Sequence, residues 1–191
     1  MPAPARTSTD AVVSAGRAII ERDGLAALTM QAVAAAVGVR APSLYKRVAG
    51  RDGLVRLIAD QAAMEVAAQL DDAIGGVDPA ADLRALAAAL RAFALRNPAT
   101  FPLLFDPRLA GVSPEARDRS VGAVRRVAAA LAGAEHELPA ARMVVAWANG
   151  FVTMELAGAF QLGGDVDEAW DYALDGLVVA LGRREDRGGR V

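Results

Sequence analysis

The sequence contains no cysteine and only one histidine, His136. Disulfide bonds, thiolate catalysis and cysteine-based zinc sites are therefore excluded, and a histidine-rich metal site is not expected. No cluster of carboxylates and histidine has the spacing of a nucleophilic or metal-dependent active site. The sequence accordingly predicts no catalytic residue, no metal and no cofactor.

Long apolar runs are also missing, although 54% of the residues are hydrophobic. No run approaches the ~18 apolar residues that a membrane-spanning helix needs. The first residues, MPAPARTSTD, lack the apolar core of a signal peptide. We therefore expect a cytoplasmic protein without a membrane partner.

Aromatic residues are scarce, at 5%, whereas alanine is used heavily. Alanine, leucine and arginine favour helix, so we expect an all-α fold of about nine helices. A three-helix domain is predicted over residues 1–52, a larger helical domain over residues 53–182, and a flexible arginine- and glycine-rich tail over residues 183–191. Within the larger domain, helices are predicted from about Asp52 to Ile74, Ala80 to Arg96, Pro114 to Ala132, Pro139 to Gln161 and Asp167 to Leu181.

Two very short helices joined by a tight turn are predicted between Thr29 and Arg51. Thr29 can cap the first helix, because its hydroxyl can accept a hydrogen bond from a free N–H of the first turn. Gly38 closes that helix, and Pro42 suits the first turn of the next, where no N–H is needed. Gly50 ends the second helix after about two turns. This is the layout of a helix-turn-helix, whose second helix enters the major groove of DNA.

The charge distribution agrees with this interpretation only weakly. Residues 1–60 carry eight Arg or Lys and five Asp or Glu, a net charge of +3, whereas the remaining residues carry thirteen Arg and eighteen Asp or Glu, a net charge of −5. A basic module on a more acidic body suits binding to nucleic acid.

Side chains that can donate to phosphates or base edges are concentrated in this segment. Arg40 and Lys46 are the best placed to reach base edges, and Arg51 lies at the start of the next helix, where free N–H groups also favour a phosphate. The predicted DNA contacts are Thr29, Gln31, Arg40, Ala41, Pro42, Ser43, Tyr45, Lys46, Arg47 and Arg51. The alternative is a solvated helix face in an ordinary helical protein, with Tyr45 capping a core.

The segment LTMQAVAAAVGVRAPSLYKRVAGRDGL closely resembles the DNA-binding domain of the TetR family of transcriptional regulators. The matching positions are Leu28-Thr29, Val33-Ala34, Gly38-Val39, Pro42, Leu44-Tyr45, Val48 and Gly50-Arg51-Asp52, with Leu54 continuing the match. A histidine is common in this family where Arg47 stands, so the phosphate donor is kept while the base preference can differ. Further along, Trp147–Leu156 is similar to a C-terminal class of the family marked by Trp followed by His-Gly, with Asn149 in place of that histidine.

The resemblance implies that the larger domain dimerises and encloses a small-molecule pocket. Candidates for the pocket wall are Phe93, Phe101, Leu104, Phe105, Met143, Trp147, Phe151 and Met154. Candidates for the dimer interface are Ala157, Gly158, Trp170, Leu174, Leu177, Val178 and Leu181. For each of these residues the alternative is ordinary packing inside one chain.

The function predicted from the sequence is a homodimeric DNA-binding repressor. It would bind a palindromic operator in double-stranded DNA through the major groove, and a small apolar or amphipathic effector would release it. Two alternatives remain open at this point: a helical adaptor that binds only protein, and a helical-bundle enzyme. A gel shift separates the first alternative from the regulator, and a substrate screen would reveal the second.

Overall fold

The computed structural model describes residues 8–106 and 113–182. It is 80% helical, and the described residues form no strand, which confirms the all-α prediction. Where about nine helices are predicted, eight α-helices are found in these ranges: α1 Thr9–Asp23, α2 Met30–Val37, α3 Ala41–Leu44, α4 Gly50–Ala73, α5 Pro79–Arg96, α6 Pro114–Ala132, α7 Glu137–Leu156 and α8 Val166–Gly182. None of the described helices is long and apolar enough to cross a membrane. The predicted tail, residues 183–191, lies outside the described residues.

The chain divides into two compact units. The first unit comprises Met1–Met64 and Asn97–Arg117, and the second comprises Glu65–Arg96 and Asp118–Val191. The first unit thus contains the predicted helix-turn-helix and also a later segment that follows α5. The domain limits proposed from the sequence, at residues 52 and 182, remain predictions.

The first unit is built on an apolar core contributed by α1, α2, α3, α4 and the later segment. Gly16 allows a close approach in this core, because a Cβ atom there would lie 2.9 Å from Ile58 Cδ1 and 3.3 Å from Leu54 Cδ2. The buried members of the core are Val12, Val13, Ile19, Ile20, Leu28, Met30, Val33, Ala34, Leu44, Val48, Leu54, Val55, Ile58, Ala59 and Leu103.

Local signals in the sequence set the limits of α2. The Thr29 hydroxyl accepts a hydrogen bond from the N–H of Ala32 at 3.0 Å, as predicted for an N-cap. Gly38 follows the helix in the left-handed conformation, with φ 72°, which costs a glycine little. The N–H of Val39 then donates to the carbonyl of Ala34 at 2.9 Å, so the turn towards α3 is fixed by backbone hydrogen bonds.

The helix after this turn is shorter than predicted. Regular α-helical structure covers only Ala41–Leu44, and the next three residues form a hydrogen-bonded turn. The N–H groups of Arg47 and Val48 both donate to the Leu44 carbonyl, at 2.8 and 3.0 Å. Sharing of one carbonyl in this way tightens the last turn of a helix. The predicted two-turn helix is therefore one turn of helix followed by a tightened turn.

In the second unit, α5 packs against α7 and α8, and α7 packs against α8. The sequence predicts that α7 continues to Gln161, but the helix ends at Leu156. Gly158 stops it, with φ 62°, while the N–H of Ala159 donates to the Met154 carbonyl at 2.9 Å. This is a Schellman-type helix end. Gly158 therefore terminates the helix instead of lying on its face.

Candidate nucleic-acid interface and effector site

The turn after α3 presents its polar side chains to solvent. Leu44 and Val48, at its two ends, are 0% and 4% exposed and belong to the core. Tyr45, Lys46 and Arg47, between them, are all exposed, with Tyr45 at 59%. Two buried anchors thus hold a short turn whose phenol, ammonium and guanidinium groups point outward. Tyr45 does not cap a core.

The other predicted DNA contacts lie near this turn or at the start of α2. Arg40, the N-cap position of α3, is exposed, as are Pro42 and Ser43 in its first turn, whereas Ala41 is half-buried. Thr29 and Gln31, at the start of α2, are exposed too. The Thr29 hydroxyl accepts a hydrogen bond from its own helix, and a hydroxyl that accepts can also donate to a phosphate.

Arg51 differs from the other candidates because its guanidinium group is bonded within the protein. Its Nε donates to the Leu28 carbonyl at 2.9 Å, and its Nη2 donates to the Leu25 carbonyl at 2.9 Å. Its Nη1 lies 3.7 Å from a carboxylate oxygen of Asp52. The structure thus gives Arg51 a bridging role that the sequence did not predict.

In the second unit, four aromatic rings from α7, α8 and the segment between them form one cluster. The Trp147 and Trp170 ring centroids are 4.7 Å apart, and the Phe151 ring lies 5.0 Å from Trp170 and 5.9 Å from Trp147. Phe160 packs on Phe151 at 4.8 Å. The structure therefore brings together Trp147 and Phe151 of the predicted pocket wall and adds two rings to them. These are the separations of favourable aromatic pairs.

Charged side chains from α5, α7 and α8 form ion pairs beside this aromatic cluster. Arg91 on α5 donates to both carboxylate oxygens of Glu155 on α7, at 2.8 and 2.6 Å, and it also pairs with Asp167 on α8 at 2.6 Å. Its guanidinium carbon lies 5.0 Å from the centre of the Trp170 ring, within range of a cation–π contact. The hydrogen bond to Glu155 raises the pKa of Arg91 above its ordinary value, Asp167 adds to the shift, and burial opposes it.

The ion pair ties Glu155 to α5. Arg91 and Glu155 are only 15% and 16% exposed, and each satisfies the other. Glu155 is therefore a structural partner of α5, and a cationic ligand would have to displace Arg91 to reach it.

The remaining candidates for the pocket wall differ in burial. Phe93 is fully buried in α5, whereas Met143 and Met154 on α7 are 38% and 47% exposed. Both methionines thus lie on the outer side of their helix. The other three candidates belong to the first unit, where the Phe101 and Phe105 rings meet edge to face at 5.4 Å and Leu104 is half-buried.

The predicted interface residues on α8 separate into two groups. Trp170, Leu174 and Leu181 are 4%, 3% and 2% exposed within one chain, so they have little surface left to bury against a partner. Leu177 and Val178 are half-buried. The sequence could not separate these two groups, because apolar residues occur on both faces of α8.

Arg91 and Phe160 were missed by the sequence interpretation. A signal for Arg91 was present, since it lies four residues after Ala87 and three before Ala94, both buried. A charged residue on the apolar side of a helix needs a partner. No comparable signal exists for Phe160, which lies in the segment between α7 and α8.

Two family models match this chain. Residues 12–58 match the model described as bacterial regulatory proteins of the tetR family, and residues 83–177 match the model described as a tetracyclin repressor-like C-terminal domain. The first match covers α2, α3 and the exposed turn. The second covers α5, α7 and the aromatic cluster.

Similar proteins agree with these matches. An uncharacterised HTH-type transcriptional regulator of Mycobacterium tuberculosis is 26% identical over 190 residues, which cover 97% of this chain and 87% of that protein. The apo form of ActR from Streptomyces coelicolor has a TM-score of 0.78 at 17% identity and covers 98% of this chain and 100% of its own. A TetR variant from Acinetobacter baumannii AYE in complex with minocycline has a TM-score of 0.71 at 20% identity, over 92% of this chain and 97% of its own. At these identities the two solved structures show the fold alone.

The helix-turn-helix thus lies in the segment that matches the first model, and helices of the second unit lie in the segment that matches the second. The first of these models describes a family of bacterial regulatory proteins. The chain belongs to the TetR family and is a DNA-binding transcriptional regulator.

Proposed function

We propose that this regulator is a cytoplasmic homodimeric repressor that leaves a palindromic operator when a small apolar or amphipathic effector binds its larger domain. The observation that carries the proposal is the exposed turn held between Leu44 and Val48. It presents Tyr45, Lys46 and Arg47 together on the outside of a helix-turn-helix. Such side chains supply the phosphate and base-edge donors that DNA recognition needs.

Separate roles follow from the positions of these side chains. Arg40 and Lys46 flank α3 and are proposed to read base edges, since arginine can grip a guanine with two hydrogen bonds. Ser43, Tyr45 and Arg47 are proposed to bind phosphates, together with Thr29 and Gln31, because in this motif the first helix crosses the DNA backbone. Ala41 and Pro42 allow close approach of the backbone.

Footprinting on the DNA upstream of the protein's own gene tests the DNA-reading part of the proposal. We expect protection of a palindrome whose half-sites lie on one face of the duplex. Low salt strengthens phosphate contacts, so the absence of any protected palindrome even at low salt would refute it. Addition of an effector should then abolish the protection.

The dimer is proposed to form through the outer faces of α7 and α8. Gly150 lies within α7 and Gly176 within α8. Apart from its chain neighbours and the backbone of its own helix, a Cβ atom at either position would have no atom of the described residues within 4 Å. A glycine inside a helix costs about 1 kcal/mol relative to alanine, and packing within the described chain does not require it here. A partner helix in close contact would require it.

The residues around these two glycines support the same surface. On α7 they are small or apolar and exposed, and Met143 and Met154 belong to them. On α8, Tyr172 and Val179 are 84% and 49% exposed. The proposed partner face therefore comprises Met143, Ala146, Gly150 and Met154 on α7, Ala157 at the C-cap of α7, and Tyr172, Gly176, Val179 and Ala180 on α8. This face includes Ala157 from the interface predicted from the sequence. On α8 the exposed residues take the place of Trp170, which is buried within one chain.

Substitution of the helix glycines tests this dimer. If the face is free, Gly150→Ala stabilises the chain by about 1 kcal/mol through helix propensity. If a partner helix packs there, Gly150→Leu and Gly176→Leu convert dimers into monomers in sedimentation equilibrium. Ala88→Leu, on the exposed side of α5, is the matched control. Retention of the dimer in both leucine variants would contradict the proposed face.

The effector is proposed to bind at the aromatic cluster. Its four rings offer an apolar surface, and the neighbouring Arg91 and Glu155 are already paired, which favours an effector without a strong charge. The similar TetR variant from Acinetobacter baumannii was solved in complex with minocycline. Both tryptophans of the sequence, Trp147 and Trp170, lie in the cluster.

Tryptophan fluorescence therefore reports on this cluster directly. We expect a compound that quenches the emission to release the protein from its DNA at the same concentrations. Phe151→Ala should weaken both effects, whereas Phe105→Ala, in the other unit, should weaken neither. Release from DNA without any change in emission would place the effector elsewhere.

A further inference from the structure

Arg51 connects two helices of the DNA-reading unit. It is the second residue of α4, and its side chain reaches carbonyls that lie 23 and 26 residues earlier in the chain, at Leu28 and Leu25. Leu25 begins the short 3-10 helix that precedes α2, and Leu28 follows this helix and directly precedes the α2 N-cap, Thr29. One guanidinium group thus ties the start of α4 to the entry of α2.

This position is electrostatically unfavourable for a cation. The first turn of a helix carries partial positive charge, so an acidic residue would suit α4 better. Asp52, 3.7 Å from Arg51 Nη1, offsets part of the repulsion. The stability of α4 therefore does not explain the arginine, whereas its two carbonyl acceptors do.

The bridge matters because α2 carries predicted DNA contacts and packs against α3. Thr29 and Gln31 lie at the start of α2, only one and three residues after the bonded carbonyl of Leu28. Because α2 packs against α3, its position also sets that of the base-reading side chains beside α3. These have to be held within a fraction of an ångström to meet base edges. We propose that Arg51 is a positioning residue for operator recognition, which holds the α2 entry against α4 instead of contacting a phosphate itself. The proposal rests on the DNA-binding function.

The chemistry of the bridge explains why arginine stands here. Two donors at a fixed spacing, Nε and Nη2, reach two carbonyls at the same time, whereas lysine offers one compact charge. Arg51→Lys therefore keeps the charge that a phosphate would need and loses the bridge. Arg51→Gln loses both. Arg56→Gln is the matched control, because Arg56 is an exposed arginine on the same helix.

The experiment compares specific with non-specific binding of the full-length protein. The specific probe is a palindromic duplex selected from random DNA by the wild-type protein, and the non-specific probe is a random duplex of equal length. Both variants at Arg51 should bind the selected duplex about tenfold more weakly, since two hydrogen bonds that orient α2 are lost. Binding to the random duplex and the slope of log K against log salt should stay as in the wild type, and Arg56→Gln should keep the wild-type ratio of the two affinities.

Three results would overturn the inference. A salt slope that falls by about one unit in Arg51→Gln but not in Arg51→Lys would show a direct phosphate contact. Full affinity of Arg51→Lys for the selected duplex would show that the bridge is not needed, and this variant decides alone if Arg51→Gln does not fold. A lowered melting temperature with an unchanged affinity ratio well below melting would reveal a role in stability only. If the wild-type protein selects no duplex, the proposed DNA-binding function is wrong and the inference with it. Each of the other three results contradicts only the role of Arg51 and is compatible with DNA binding.

Discussion

In the ion pair between Arg91 and Glu155, we expect removal of Arg91 to cost more stability than removal of Glu155. Arg91→Met leaves a carboxylate that is 16% exposed without its guanidinium partner. Removal of one partner of a buried pair costs about 3–5 kcal/mol, and we expect about 3 kcal/mol here because some solvent reaches the site. Glu155→Leu should cost only about 1–2 kcal/mol, because Arg91 keeps Asp167 at 2.6 Å.

A double variant separates the loss of the ion pair from the cost of leaving one charge unpaired. Arg91→Met with Glu155→Leu replaces both buried charges by apolar groups. Asp167 also loses its partner, but its side chain is 75% exposed and stays solvated. We expect it to be more stable than Arg91→Met alone. Urea unfolding at one fixed protein concentration measures all three variants, since dimerisation makes stability depend on concentration. The exposed pair Arg84 and Asp175, which also joins α5 to α8 at 2.7 Å, is the matched control and should contribute less than about 1 kcal/mol.

A pH series adds an independent readout. Because the pKa of Arg91 is raised above its ordinary value, its contribution to stability is fully present below the ordinary arginine pKa and does not change between pH 6 and 9. A larger loss for Glu155→Leu than for Arg91→Met, or a double variant worse than both, would refute the reasoning.

Three further predictions follow from contacts in the first unit. Arg47→Gln should weaken DNA binding across all sequences and lower the slope of log K against log salt by about one unit, as a lost phosphate contact does. An unchanged slope in filter-binding titrations would exclude that role. The Glu21 carboxylate accepts hydrogen bonds from the N–H groups of Ala99 and Thr100 at 3.0 and 2.9 Å. Glu21→Ala should therefore lower the free energy of unfolding by about 2–3 kcal/mol and speed hydrogen exchange at these two amides. Unchanged exchange would contradict this prediction. The Thr100 hydroxyl is buried without a hydrogen-bond partner in the described part of the chain. Thr100→Val should therefore be neutral or stabilising by up to about 1 kcal/mol. A clear loss of stability in urea unfolding would show that the hydroxyl has a partner.

Features decided by neighbours along the chain could be predicted from the sequence. Thr29 caps α2 and Gly38 ends it because each acts on backbone groups within four residues. The same holds for Ser113, whose hydroxyl accepts the N–H of Ala116 at 3.1 Å at the start of α6. A cap needs only a suitable side chain at the right spacing, so the residue order contains the whole signal.

Features decided by distant partners could not be predicted in this way. The sequence identifies Arg51 as a donor, but its acceptors are backbone carbonyls, which every residue has. It likewise shows a charge at Arg91 on an apolar helix face without showing which of eighteen Asp and Glu residues beyond position 60 would meet it. Residue type limits the chemistry of a contact, whereas the packing of helices selects the partner.

The two faces of α8 connect the proposed effector site with the proposed dimer. Trp170 on the buried face belongs to the aromatic cluster, and Gly176 on the opposite face has open space beside it. An effector that enters the cluster has to separate rings held by α7 and α8, and a helix moves as a rigid body over such short distances. Both helices carry the proposed partner face, so their displacement would alter how two chains meet. A change in spacing between two DNA-reading units then weakens binding to a palindrome, because both half-sites must be engaged together.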